Sequence, residues 1–414
     1  MPRKLYVHPV ITGDIATYVK ASPINTQGRG REGLRENIVE TKKFIAKDGR
    51  GSSFYASGVC IRRMLRERLY EYYGWERSPV TVVAKGGQKQ IAPEDAELLL
   101  EEDEETKLMA AVTAHTEGNP FTYEDDDLFG FFIPQKKEGA RCRVAPFQLS
   151  SAESLPQAGT VFREQRTMTG HLLGDGRGTG NSGALYHPIL YEVEVPTGPV
   201  SFTFSLSLKR AGVFTCGKLG EVTEEMYKAA KEAGLIEKEA PWGSHGKQVW
   251  LTKEERLQRI KDILMAIREL NGGANQTRHL NDFRPHAIVA AVIDGGQALL
   301  QGSFIPSGNP RRPVDIDIEF LVNRIEEFIK PFPSVHDSAC EGRVPMAGVF
   351  YRHPKSGKCV FIADCAFIHN KDEVRKVVES DPVLKEIVAF EKGIGDVLER
   401  CYEIAEHLIT QNIP

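Results

Sequence analysis

The sequence predicts an α+β fold, and three observations carry that reading. Short β-branched or aromatic runs alternate with segments of helical periodicity. The order strand, helix, strand, then hairpin, helix, strand approximates a ferredoxin-like core with insertions. The chain has 414 residues, 41% hydrophobic and 27% charged, which is ordinary for globular proteins and sufficient to bury a large core.

"LYVHPVITGDIATYVKAS" (Leu5 to Ser22) reads as a long strand bent at Pro9 and Gly13. A loop follows, "PINTQGRGREGLREN". In the next segment Ile61, Met64, Leu65, Leu69 and Tyr72 recur at helical spacing, with Arg62, Arg63, Arg66 and Arg68 largely off that stripe. Gly74 ends this helix. Ser57 stands at its start, where an N-cap is the ordinary reading. "PVTVVA" is a short strand. "PEDAELLLEEDEETKLMAAV" reads as an acidic helix, and "YEDDDLFGFF" returns to strand character.

Beyond a Gly-rich loop, "ILYEVEV" and "VSFTFSLSL" are separated by "PTGP" and read as a hairpin. "TKEERLQRIKDILMAIRELNGG" is a helix with Thr252 and Glu255 spaced as a capping box and Gly272 as a stop. "HAIVAAVI" is a strand and "IDIEFLVNRIEEFIKPF" a helix. "VFYRHPKSGKCVFIADCAFI" reads as a hairpin turning at Pro354 to Gly357, and a helical region runs from Asp372 to Ile409.

The net charge of −4 conceals an asymmetry. Residues 1–92 hold 17 Lys+Arg against 8 Asp+Glu, a balance of +9, whereas residues 93–130 hold 1 against 13, a balance of −12. Such a chain presents a basic surface to a polyanion although it is acidic overall. Lys20, Arg29, Arg31, Arg35, Lys47, Arg50 and the helical arginines surround the first strand–loop–helix unit. Arginines beside flexible glycines, with amides at a helix N-terminus, suit a phosphodiester backbone.

Other chemistries fit less well. Gly178, Gly180 and Gly183 of "GDGRGTGNSG" spell G-x-G-x-x-G, but a strand follows where a dinucleotide site needs a helix N-terminus. No cofactor is expected. His336, Cys340, His353, Cys359, Cys365 and His369 cluster in sequence without zinc-finger spacing, so no metal is expected either. Seven cysteines without a C-x-x-C point to reduced thiols. The N-terminus lacks the apolar stretch of a signal peptide, and the longest apolar run, Ala287 to Ile293, is far too short for a membrane span. The expectation is a cytoplasmic protein with no membrane partner.

Five segments in order carry a resemblance: "PINTQGRG", "ASGVCIRRMLRERL", "DLFGFF" before Arg-Val-Ala-Pro, "FTFSLSLKRAGVF" and "RELNGGANQTRHLNDFRPHAIVAA". Together they resemble the DevR-type branch of CRISPR-associated backbone subunits, the major Cascade subunit of type I systems in the repeat-associated superfamily, over roughly residues 5 to 300. The resemblance implies a modified RNA-recognition-like palm, an inserted finger region at 86–145 and a thumb loop at 166–188, within a core of residues 1–330 followed by a hairpin-plus-helix extension, 331–414. It implies a non-enzymatic subunit that oligomerises head to tail along a CRISPR RNA. Its further partners would be the target DNA strand and other subunits of the surveillance complex. Residues implied to touch RNA are Lys20, Asn25, Gln27, Arg29, Arg31, Arg50, Ser57, Arg62, Arg63, Arg66, Met168, His171 and Arg177. Related type III subunits cut RNA with an aspartate in the loop after the first strand; "KASPINTQGRG" has none. The alternative is a ribonuclease on the same core, with His8, His171 and His187 as acid–base candidates. A transcriptional autoregulator would need a helix-turn-helix pattern, which is not seen.

Overall fold

A computed structural model describes residues 8–22, 38–45, 52–84, 87–91, 113–135, 139–168, 189–217, 220–242, 246–272, 282–295, 298–329 and 349–411. The chain begins with β1 (Pro9–Val19), β2 (Ile38–Val39), β3 (Lys43–Ile45), β4 (Ser52–Ala56) and α1 (Gly58–Tyr72). Next come β5 (Val80–Ala84), β6 (Gly87–Ile91), β7 (Thr113–Thr116), α2 (Glu124–Leu128), β8 (Phe131–Gln135) and β9 (Gly139–Arg143). They are followed by β10 (Phe147–Leu149), β11 (Ala152–Ser154), β12 (Thr160–Met168) and β13 (Ile189–Ser207). The second half holds β14 (Val213–Cys216), α3 (Glu224–Glu232), β15 (Ile236–Pro241), β16 (Lys247–Leu251), α4 (Lys253–Arg268) and β17 (Ala287–Asp294). It closes with β18 (Phe304–Asn309), β19 (Arg312–Ile316), α5 (Ile318–Ile329), β20 (Val360–Ala363), α6 (Lys371–Ser380), α7 (Pro382–Ile387), β21 (Val388–Glu391) and α8 (Ile394–Thr410). The fold is mixed α and β, with sheet predominating.

One large sheet organises the molecule, in the order β21-β20-β17-β1-β13-β11-β4-β3, with β10, β12 and β2 also paired to β13. β1 is central, antiparallel to β13 on one side and β17 on the other. Its alternation sorts side chains by face. Ile11, Ile15 and Val19 join Ile288, Ala290 and Val292 of β17 in an apolar cluster that packs against α1, α4 and α8. Ala16 and the alternate β17 residues Ala287, Val289, Ala291 and Ile293 face a second cluster built with β18, β19, α5, α6 and α7. Buried on both faces, β17 therefore reads as a near-continuous apolar run, whereas β1 also buries Thr12, Asp14 and Thr17. Gly13 is a seat rather than a bend: a Cβ there would lie 2.5 Å from Phe204 Cε1.

Several expectations are corrected. "PTGP" is no hairpin turn, because Ile189–Ser207 is one continuous strand. Its first half pairs with β12 and β2, its second with β1, β10 and β11, so each half has partners of its own. The prolines fall where the pairing changes hands, and Gly198, at φ +147°, supplies the backbone freedom there. "YEDDDLFGFF" opens with a short helix, α2, whose three aspartates are buried; only β8 is strand. The turn in "HPKSGK" exists, with Gly357 N–H donating to the His353 carbonyl at 2.9 Å. Its flanks nevertheless lie one after the other along β17, Phe350 bridging Ile293 and β20 pairing with Val289–Ala291. The C-terminal helical region contains an additional strand, β21, parallel to β20. The expected acidic helix of residues 93–112 and the loop "GDGRGTGNSG" lie outside the described residues.

Residues 349–411 are continuous with the central sheet, supplying β20, β21 and the helix α8 that packs beside α4. Thr252 caps α4 by accepting from Glu255 N–H at 3.3 Å, whereas the Glu255 carboxylate turns to Arg259 Nε at 2.8 Å instead of closing the capping box.

Candidate nucleic-acid interface

α1 starts where the sequence places it. Ser57 is extended (φ −64°, ψ 150°) and its hydroxyl accepts from Cys60 N–H at 3.3 Å. Gly58 lets the helix start press against the chain at β10, since a Cβ there would meet the Leu149 carbonyl oxygen at 2.8 Å. Ile61, Met64, Leu65 and Leu69 form the buried stripe, while Tyr72 is 66% exposed under the Arg68 guanidinium.

The first turn of α1 contains no acidic residue. Arg62 and Arg63 follow in the second turn. Arg62 is half-buried and donates from Nε to the Gly58 carbonyl at 3.4 Å. Burial and then the charge of Arg66 lower its pKa. Arg63 is exposed. Lys42, just before β3, completes the group: it and Arg63 both act electrostatically on the Cys60 thiol, although burial outweighs them and raises that thiol's pKa. Lys42 and Arg63 thus lie on the Cys60 side of α1, with Arg62 beside Gly58.

Arg66 belongs to a different environment. Its Nε is 4.0 Å from Asp125 Oδ2, and its guanidinium lies 4.6 Å over the Phe129 ring. Asp125 also accepts from the Tyr70 hydroxyl at 2.8 Å, and burial, followed by the Asp126 charge, pushes its pKa up to about 6. Glu67, the i+4 neighbour of Arg63, pairs with Arg77 at 2.6 Å.

Lys20 is exposed just after β1, where Ala21 takes a left-handed φ of +44° and donates to Thr197 Oγ1 at 2.9 Å. β12 and the first half of β13 form a ribbon, on which Phe162 is 53% exposed and Arg163 lies 3.7 Å from Glu192. Met168 pairs with Ile189 at its far end. Of the other expected RNA contacts, Asn25, Gln27, Arg29, Arg31, Arg50, His171 and Arg177 lie outside the described residues, as do Arg35 and Lys47.

Sequence reading missed Lys42, Phe44 and Tyr55. Phe44 and Tyr55 stack on the outer face of the β3–β4 pair, centroids 4.1 Å apart. The interleaved cations and aromatics of "TKKFIAK" and "SSFYAS" were the available signal.

The groups considered for other chemistry are engaged structurally. His353 Nε2 lies 2.7 Å from Glu403, and its Nδ1 faces the Ser356 and Lys355 amides at 3.1 and 3.3 Å, which locks the turn. Cys359 points to the Ile387 carbonyl, and burial pushes its pKa up to about 11. Among the described residues no group of three or more His, Cys, Asp or Glu side chains could hold a metal. His8 is half-buried, its pKa lowered by burial and then by Lys209, and His187 lies outside the described residues. No described helix is long and apolar enough to cross a membrane.

Comparison with known proteins places the chain. It is similar to a chain of a "CRISPR RNA-guided surveillance complex", 11% identical, covering 96% of this chain and 99% of that one, with a TM-score of 0.42. A second similar structure, "CRISPR RNA-guided surveillance complex, pre-nicking", is 12% identical, covers 96% and 100%, and has a TM-score of 0.48. No match was found among curated proteins. The family model described as "CRISPR-associated negative auto-regulator DevR/Csa2" matches residues 31–303. The chain therefore belongs to the DevR/Csa2 family of CRISPR-associated proteins.

Proposed function

We propose that this protein is a non-catalytic backbone subunit that binds CRISPR RNA, polymerises head to tail along it in a type I surveillance complex, and presents it to a target DNA strand. The observation that carries the proposal is the N-terminus of α1, free of acids in its first turn and bearing Arg62 and Arg63 with Lys42 nearby. The amides of a helix start, with arginines in the following turn, suit a phosphate supplied from outside. Within this reading the strand order β17-β1-β13-β11, with α1 and α4 packed on one face, supports an RNA-recognition-like palm. Within the proposed finger region at 86–145 are β6 and β7, which pair with β5 just before it, and the β8–β9 pair, and the β12–β13 ribbon leads to a proposed thumb at 166–188. Residues 1–330 are the proposed RNA-recognition-like unit and 331–414 an extension whose β20, β21 and α8 complete its sheet and core. Lys20, Asn25, Gln27, Arg29, Arg31, Arg50, Ser57, Met168, His171 and Arg177 remain proposed contacts. Arg66 is assigned instead to the seam with Asp125 and Phe129. The cytoplasm is the proposed location.

The test is single-stranded RNA binding at several salt concentrations, with particle mass measured against RNA length. Arg62→Ala/Arg63→Ala is expected to weaken binding to every sequence alike and to flatten the salt slope by about 1.4 for two lost contacts on a single strand. Particle mass is expected to rise with RNA length, since a heterologous contact that does not close makes open filaments. Unchanged slope in the folded double variant, a fixed mass on all lengths, or RNA cleavage by the pure protein would overturn the reading.

A further inference from the structure

We propose that Phe44 and Tyr55 form a stacking platform for an unpaired RNA base, a contact distinct from the α1 phosphate site but resting on the same RNA-binding reading. Cα pairing sets Phe44 opposite Ser53 and Lys43 opposite Phe54. Phe44 and Tyr55 are therefore diagonal neighbours on one face, while Phe54 points to the other and is buried at 1% exposure. The two rings stack with planes 17° apart, yet Phe44 remains 48% exposed. Two rings held in this way offer solvent a flat, pre-ordered aromatic surface at the edge of the sheet.

The surroundings suit a nucleotide. Lys42 borders the platform through its backbone, its carbonyl accepting Tyr55 N–H at 3.1 Å. On the inner side Glu153 of β11 pairs directly with Tyr55, and it is exposed. A phosphate is repelled from the Glu153 side, whereas Glu153 can accept from a base amino group. The nucleotide is thereby oriented with backbone outward and base inward. Further in lies a shallow pocket of about 210 Å³ whose lining mixes polar residues such as Gln148, Thr203 and Gln301 with apolar Leu149, Phe204 and Ala298. The apolar cluster beneath α5, α6 and α7 takes its strand residues from β1, β17, β18, β19, β20 and β21, and so leaves β3 and β4 outside it. An aromatic pair on a sheet face is how unpaired RNA bases are held, because every base has a π-face.

The experiment measures binding of the full-length protein to labelled poly(A) RNA and to a strand of equal length with abasic sites, across salt concentrations. Phe44→Ala and Phe44→Leu, the latter keeping apolar bulk to protect the fold, are expected to weaken poly(A) binding roughly 5- to 100-fold with an unchanged salt slope. Phe44→Trp is expected to restore it. The abasic strand is expected to bind the wild type and all three variants equally. Normal poly(A) binding by Phe44→Ala, while wild-type binding keeps its salt dependence, would overturn the platform and leave the phosphate site standing. Equal weakening on the abasic strand, or an altered mass of the RNA-free variant, would also overturn it, the latter by assigning the rings to a contact between copies. If the wild type binds neither strand, the RNA-binding reading and the platform fall together.

Discussion

At the scale of single residues, Asp14 is the most informative carboxylate. It lies in the middle of β1 at 1% exposure and accepts from Thr203 Oγ1 at 2.9 Å, Gly302 N–H at 3.1 Å and Ser303 N–H at 3.0 Å. Those donors favour the carboxylate, but burial opposes them more strongly and raises its pKa to about 7. From about pH 4 to about pH 7 the native state holds a proton that the unfolded chain has released. Stability is thus greatest below the unfolded pKa, falls as pH rises through the window, and levels off above it. A shift of this size corresponds to about 4 kcal/mol at most. Asp125, raised to about 6, adds in the same direction over the lower part of the window. Asp14→Asn keeps an acceptor for the two amides and a donor for Thr203, and it is expected to remove most of this slope. Urea unfolding at a series of pH values measures it; an unchanged slope in the variant would assign the dependence elsewhere.

At the scale of elements, α2 shows how an acidic run becomes a structural anchor. Asp127 accepts from Arg143 of β9, from Arg259 Nη1 of α4 at 3.0 Å and from Gly212 N–H at 2.9 Å. Asp126 accepts from Ser78 and Thr116 hydroxyls at 2.8 and 2.6 Å. The described part of the inserted region is tied to the core by interior charge pairing, so these aspartates are unavailable as a solvated acidic face. Asp127→Ala leaves two buried guanidinium groups without their shared partner. Breaking a buried pair in this way costs about 3–5 kcal/mol. The expectation is a large drop in the urea midpoint with little change in its slope, and a loss below 1 kcal/mol would argue against the anchor. Periodicity did identify α1, α4 and β17, whose stripes or runs face a single core. It failed at β13 and α2 because a "PTGP" turn signal and a "DDD" run state local preference, while distant strands and arginines decide the outcome.

At the scale of the whole molecule, the C-terminal residues complete the core. Val397, Leu398, Cys401, Ile404, Ala405 and Leu408 of α8 are buried against α4 and the central sheet. Each buried aliphatic side chain contributes about 1.5–3 kcal/mol, and a whole protein retains only about 5–15 kcal/mol. Ending the chain before Ile394 is therefore expected to abolish cooperative unfolding and near-ultraviolet dichroism. A sharp melt from the truncated protein would instead make α8 a dispensable addition.

The sequence by itself determined the mixed α and β character, the amphipathic helices α1 and α4, the Ser57 and Thr252 caps, and the family, because these rest on local spacing and short ordered motifs. Tertiary structure alone decided that Ile189–Ser207 is one strand with two sets of partners, and that Asp125 to Asp127 turn inward. It also decided that Arg63 and Lys42 both act on Cys60 while Arg66 is drawn to Asp125, and that Phe44 stacks on Tyr55. The physical reason is range. Helix stripes and caps are satisfied within a few residues, whereas strand pairing, charge burial and ring stacking need partners that the chain brings together only when it folds.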